Sequence, residues 1–149
     1  MIRARPIAYL AGPLFSPMER ERNIRIRDAL NVWVDVYLPQ QDGKLIFDLI
    51  NSGMSPAEAR SIVFRNDIQA LEACDLFILI MDGRSIDEGA CFELGYAYAR
   101  DKVCVGIKTD QRMLLPHGDN PMIEAPLREV FASDAELTTW VHASFCLRD

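Results

Sequence analysis

Six consecutive apolar residues, L-F-I-L-I-M at 76–81, are closed by Asp75 on one side and by Asp82 and Gly83 on the other. A strand with one face in water alternates apolar with polar residues, so a run without a polar position must be covered on both faces. It is far shorter than the roughly 20 residues of a membrane span. A strand of this kind belongs to a parallel sheet sandwiched between two layers of helices. The rest of the chain supplies such layers. Three more apolar runs, P-I-A-Y-L-A-G at 6–12, V-W-V-D-V-Y-L-P at 32–39 and K-V-C-V-G-I-K at 102–108, are rich in β-branched or aromatic residues and bounded by turn formers.

Helical patterns lie between them. Ser16-Pro17 opens one that runs to about residue 31, with a cap residue and proline at the first helical position. Ser55-Pro56, with Glu58 as the glutamate of a capping box, opens a second that ends near Cys74. A third covers 87–100 and a fourth 125–131, while 40–53 and 109–120 read as irregular. Strand and helix alternate as in βαβ units, whose crossovers are right-handed. In open sheets of that kind a ligand sits beyond the carboxyl ends of the strands.

At 149 residues, half of them hydrophobic, the chain has the size and core of one domain over 1–149. Its formal charge of −6 argues against a partner held by phosphate contacts, so no polynucleotide is expected, although a nucleic-acid building block remains open as substrate. Arg3, Arg5 and the stretch 19–27 carry the clustered basic residues, but 19–27 alternates sign like a solvated helix face. Cys74, Cys91, Cys104 and Cys146 show no C-x-x-C spacing and read as reduced residues of a cytoplasmic protein without structural zinc. No membrane segment and no signal peptide are expected.

The polar residues that stand out follow the strands. Ala11-Gly12-Pro13 after the first strand reads either as a tight turn or as a close backbone approach to a ligand, with a helix N-terminus behind it. No G-x-G-x-x-G and no phosphate-loop motif occurs. In D-E-G-A-C-F-E-L-G-Y-A at 87–97, Glu93 has Gly89, Ala90 and Ala97 as neighbours one turn away. It is either a solvated residue on the outer helix face or a functional carboxylate, since burial without a partner is costly. Asp87 is placed as the N-cap of that helix, and Asp67 is one polar residue in a long helix. The topology can bring all three to one edge of the sheet, and a carboxylate pair there suits glycosidic chemistry through an oxocarbenium-like transition state. His117 and His142 stand apart, and neither G-x-S-x-G nor H-E-x-x-H is present, so no metal is expected.

Together, Y-L-A-G-P-L-F at 9–15, Asn66-Asp67, the 87–97 block and D-N-P-M-I at 119–123 resemble the nucleoside 2-deoxyribosyltransferases, a likeness that spans about 9–123. The resemblance implies a flavodoxin-like, doubly wound, five-stranded parallel sheet with helices on both faces, and transfer of a 2-deoxyribosyl group between nucleobases without a cofactor. It implies that Glu93 is the nucleophile, that Tyr9 orients it, that Asp67 exchanges a proton with the base, and that Asp87 holds the sugar hydroxyls. Gly12 and Phe15 would contact substrate, and Asn120 and Met122 would complete the site of a neighbouring subunit in a homo-oligomer. A terminal-carboxylate role is not carried onto Asp149, because the ending offers no matching motif. The base pocket would draw on Leu14, Phe15 and 40–53, with Phe47 as a candidate for stacking. An N-glycosidase acting on 2-deoxynucleoside 5-monophosphates, with Arg84, Ser85 and Ser16 around the phosphate, stays open as the alternative, and a non-catalytic nucleotide-binding module stands behind it.

Overall fold

The computed structural model describes residues 5–145. Arg3, Cys146 and Asp149 lie outside them. Five parallel strands, β1 (Ile7–Ala11), β2 (Asp35–Tyr37), β3 (Leu76–Ile80), β4 (Val103–Ile107) and β5 (Val130–Phe131), form one sheet in the order β2-β1-β3-β4-β5. That order is the flavodoxin-like doubly wound arrangement, and its direction of winding reverses between β1 and β3.

The strict alternation of a strand sorts its side chains between two cores. Ala8, Leu10, Leu76, Ile78, Ile80, Val105 and Ile107 join one core with Ile26 and Leu30 of α1 (Pro17–Leu30) and Leu137 and Val141 of α7 (Asp134–Phe145). The opposite side chains, among them Tyr9, Phe77 and Leu79, pack with Leu71 of α4 (Pro56–Ala73) and Ala90, Leu94 and Ala97 of α5 (Glu88–Ala99). Every residue of β3 is buried, as its uninterrupted apolar run demands.

Helix starts follow the sequence closely. The Ser16 and Ser55 side chains each accept a hydrogen bond from the backbone N–H three residues on, and the Glu19 and Glu58 carboxylates each accept one from the cap backbone N–H. The Asp87 carboxylate accepts from Ala90 N at 2.8 Å. The helix expected over 125–131 is not formed: Pro121–Glu124 make the single-turn α6, and Val130–Phe131 make β5. Pro126 lacks an N–H to continue a helix, and pairing of Val130 and Phe131 with Gly106 and Ile107 supplies the missing hydrogen-bond partners. The stretch 40–53 holds two short helices, α2 (Pro39–Asp42) and α3 (Ile46–Asn51). Among the described residues no helix is long and apolar enough to cross a membrane.

Candidate active site

Tyr9 is fully buried in the middle of β1, on the α4/α5 side of the sheet. A phenol in such a place needs a partner for its hydroxyl, and it donates to Glu93 Oε1 at 2.6 Å. Its ring is stacked between Phe77 of β3, centroids 5.8 Å apart, and Tyr37 of β2, 5.3 Å apart. Tyr37 is the register partner of Tyr9, and its own hydroxyl donates to Asp67 Oδ1 at 3.3 Å. Two neighbouring strands therefore each present one tyrosine to one carboxylate.

The electrostatics follow from this packing. Burial lifts Glu93 to about 7, the Tyr9 hydroxyl opposes that rise, and the charges of Asp67 and Asp87 add to it. Asp67 is also held above the ordinary carboxylate range by burial, against the pull of Tyr37. Both tyrosines are pushed well above their usual value, first by burial and then by the nearby carboxylates. They stay protonated and act as fixed donors. One carboxylate poised near neutrality beside a second whose affinity for protons is raised is the pairing that nucleophilic and proton-transfer chemistry requires.

Two cavities meet at Asp67. One, of about 360 Å³, has Glu93, Gly89, Phe64 and Phe92 in its walls. The other, of about 390 Å³, has Leu14, Gln40, Lys44 and Phe47. The second is shaped by buried Asn23, whose amide donates to Pro13 O and Gln40 Oε1 at 2.9 Å each, while Gln40 donates to Arg20 O at 3.0 Å. This ties the turn after β1 to α2.

The structure thus brings Tyr9, Glu93 and Asp67 together, with Asp87 close enough to Glu93 to raise its proton affinity. Gly12 follows β1 directly, and the room left by its missing Cβ is filled by Ile80, whose Cβ would lie 2.7 Å away. Phe15 is exposed at the start of α1, where its N–H donates to Glu19 Oε2 at 3.0 Å. Asn120 and Met122 are not brought to the carboxylates of their own chain. Asn120 caps α6 by accepting from Met122 N at 3.0 Å, and it borders a separate cavity of about 430 Å³ with Arg84, Ser85 and Cys91. Met122 is 78% exposed. Tyr37 and Asn23 are site-forming residues that sequence reasoning missed; the signal for Tyr37 was its place at the carboxyl end of a predicted strand. Among the described residues no cluster of His, Cys, Asp or Glu is arranged to hold a metal ion.

An open, doubly wound parallel sheet with two carboxylates held by tyrosines of β1 and β2 defines an α/β protein with a candidate catalytic pair. The family model described as nucleoside 2-deoxyribosyltransferase matches residues 8–141, and the chain belongs to that family. It is accordingly an enzyme of the deoxyribosyltransferase type, from a family that acts on nucleosides and nucleobases. No curated protein matches the chain. Among solved structures, a conserved protein from Enterococcus faecalis V583 is 25% identical, with a TM-score of 0.74 over 95% of this chain and 99% of that one. A 2-deoxyribosyltransferase from Bacillus psychrosaccharolyticus is 22% identical, with a TM-score of 0.72 over 93% and 95%. A CMP N-glycosidase from Clostridium botulinum is 19% identical, with a TM-score of 0.54 over 93% and 98%. The last two likenesses bear on the fold alone.

Proposed function

We propose that the chain, acting as one domain without a cofactor, transfers the 2-deoxyribosyl group of a free deoxynucleoside from one nucleobase to another. The observation that carries the reading is the buried Tyr9–Glu93 hydrogen bond of 2.6 Å with Asp67 across the same cavity. Ionised Glu93 attacks the anomeric carbon as the bond to the base nitrogen breaks. The electron pair leaves with the base, and Asp67 gives that base a proton. A sugar ester on Glu93 remains. An incoming base then attacks the same carbon, its proton passes to the Asp67 carboxylate, and the ester bond returns its electrons to Glu93. Tyr9 holds the nucleophile in place, and Asp87 serves the sugar hydroxyls. Gly12 and Phe15, in the turn after β1, are assigned to substrate contact.

Nucleosides are favoured over their 5-monophosphates. Glu19 Oε2 accepts from the backbone N–H groups of Phe15 and Ser16 at 3.0 and 2.8 Å, and Ser16 Oγ accepts from Glu19 N. The donors that a phosphate would seek there are already satisfied by a carboxylate. Arg84 and Ser85 stand in the wall of another cavity, which is the one feature that favours phosphate binding and hence the N-glycosidase alternative. Asn120 and exposed Met122 are assigned to the site of a neighbouring copy in a homo-oligomer. Half-buried Cys91 and buried Cys74 and Cys104, all free, support a reducing, cytoplasmic setting.

Incubation with deoxyinosine and adenine should yield deoxyadenosine. With deoxyinosine alone, intact mass should reveal a sugar adduct that Glu93→Ala cannot form. Release of only free deoxyribose, or an adduct that persists in the alanine variant, refutes the reading.

A further inference from the structure

We infer that Tyr37 is a positioning residue for proton transfer to the nucleobase: it holds Asp67 by one carboxylate oxygen, Oδ1, and leaves Oδ2 as the oxygen that exchanges the proton. The inference deepens the transferase reading and rests on it.

Three observations converge on Tyr37. Its hydroxyl is 3.3 Å from Asp67 Oδ1. Its ring stacks on that of Tyr9 at an interplanar angle of 24°, and the two residues are paired in register across β1 and β2. The backbone is also shaped around the hydroxyl. At Gly43 a Cβ would lie 3.2 Å from it and 2.5 Å from Pro39 O, so only glycine lets the α2–α3 turn close over the phenol. The arrangement is fixed from three sides: strand register, ring stacking and the covering turn.

A phenol placed this way has one role open to it. Burial, and then the surrounding carboxylates, keep its proton on the oxygen, so it donates to Asp67 and does not itself titrate in the working range. A protonated Asp67 with Oδ1 engaged carries its proton on Oδ2 and delivers it to the leaving base. When the acceptor base arrives, Oδ2 takes that base's proton, and the Tyr37 bond stabilises the carboxylate in the interval. Tyr9 does the corresponding work on Glu93, so the stacked pair keeps nucleophile and proton carrier in a constant relative position.

The test exploits the leaving group. A natural deoxynucleoside needs a proton on its departing base, whereas para-nitrophenyl 2-deoxyriboside releases a weakly basic anion that needs little help. Tyr37→Phe should slow glycosyl-enzyme formation from deoxyinosine roughly ten-fold and leave the aryl donor within about two-fold of the parent. In an Asp67→Asn background the same substitution should add no further loss. A variant that loses both donors equally, or neither, overturns the role of Tyr37, as do losses that multiply in the double variant. A parent enzyme that forms no adduct from either donor overturns the transferase reading beneath it, a result recognisable before any variant is made.

Discussion

At Glu93 two demands oppose each other: a nucleophile must be ionised, yet the pocket that excludes water disfavours the charge. The folded protein binds the Glu93 proton more tightly than the unfolded chain, about 7 against an ordinary value of 4.5. The resulting stability is fully present below the ordinary value and is lost as pH rises through about 7. Glu93→Gln should therefore be more stable than the parent above pH 7, by on the order of 1 kcal/mol, with the gap closing in acid; thermal denaturation across pH checks this. Transfer by the parent should rise through about pH 7 as the carboxylate ionises. Glu93, Asp87 and Asp67 were legible because their spacing resembles a family pattern. Glu93 burial could not be read, since solvated and functional glutamates look alike until the neighbours of a helix are known. Tyr37 was hidden for the opposite reason: an aromatic in an apolar strand is ordinarily core, and only its hydroxyl distinguishes it.

Elements announced themselves where their signal is local. Ser16-Pro17 and Ser55-Pro56 carry capping boxes that act within one turn, so α1 and α4 start where the sequence places them. β5 was misread because two residues have no period of their own, and only β4 beside them makes them a strand. The C-terminal helix α7 was not singled out in the sequence. Gly12 shows how a local motif can conceal a long-range cause. It reads as a turn or a ligand contact, but the atom that needs the space is Ile80, on β3. Gly12→Ala should cost about 1–3 kcal/mol through overpacking, seen as a lower urea midpoint with an unchanged slope, even though the substitution introduces no positive φ.

For the molecule as a whole, the −6 charge disfavours nucleic-acid polymers as partners. Asp67, Asp87 and Glu93 give part of that acidity a place, around a sugar that becomes electron-poor as its bond breaks. The Asn120 and Met122 positions extend the scale beyond one chain. If sites are shared, refolding Glu93→Ala together with the Asn120→Ala/Met122→Ala double variant should restore base exchange that neither has alone. Mixed assemblies that form but stay inactive would place those residues outside the neighbouring site.

The Tyr9–Glu93 hydrogen bond joins residues 84 positions apart, and β1 pairs with β3 only after a long intervening stretch of chain has been made. During synthesis, β1 and β2 emerge well before the strand and helix that complete their surroundings. Until then the buried phenol has no acceptor, and the inner edge of β1 is open to other chains. The formation of that bond consequently marks the moment at which β3 and α5 have docked onto β1, before β4 and β5 complete the sheet.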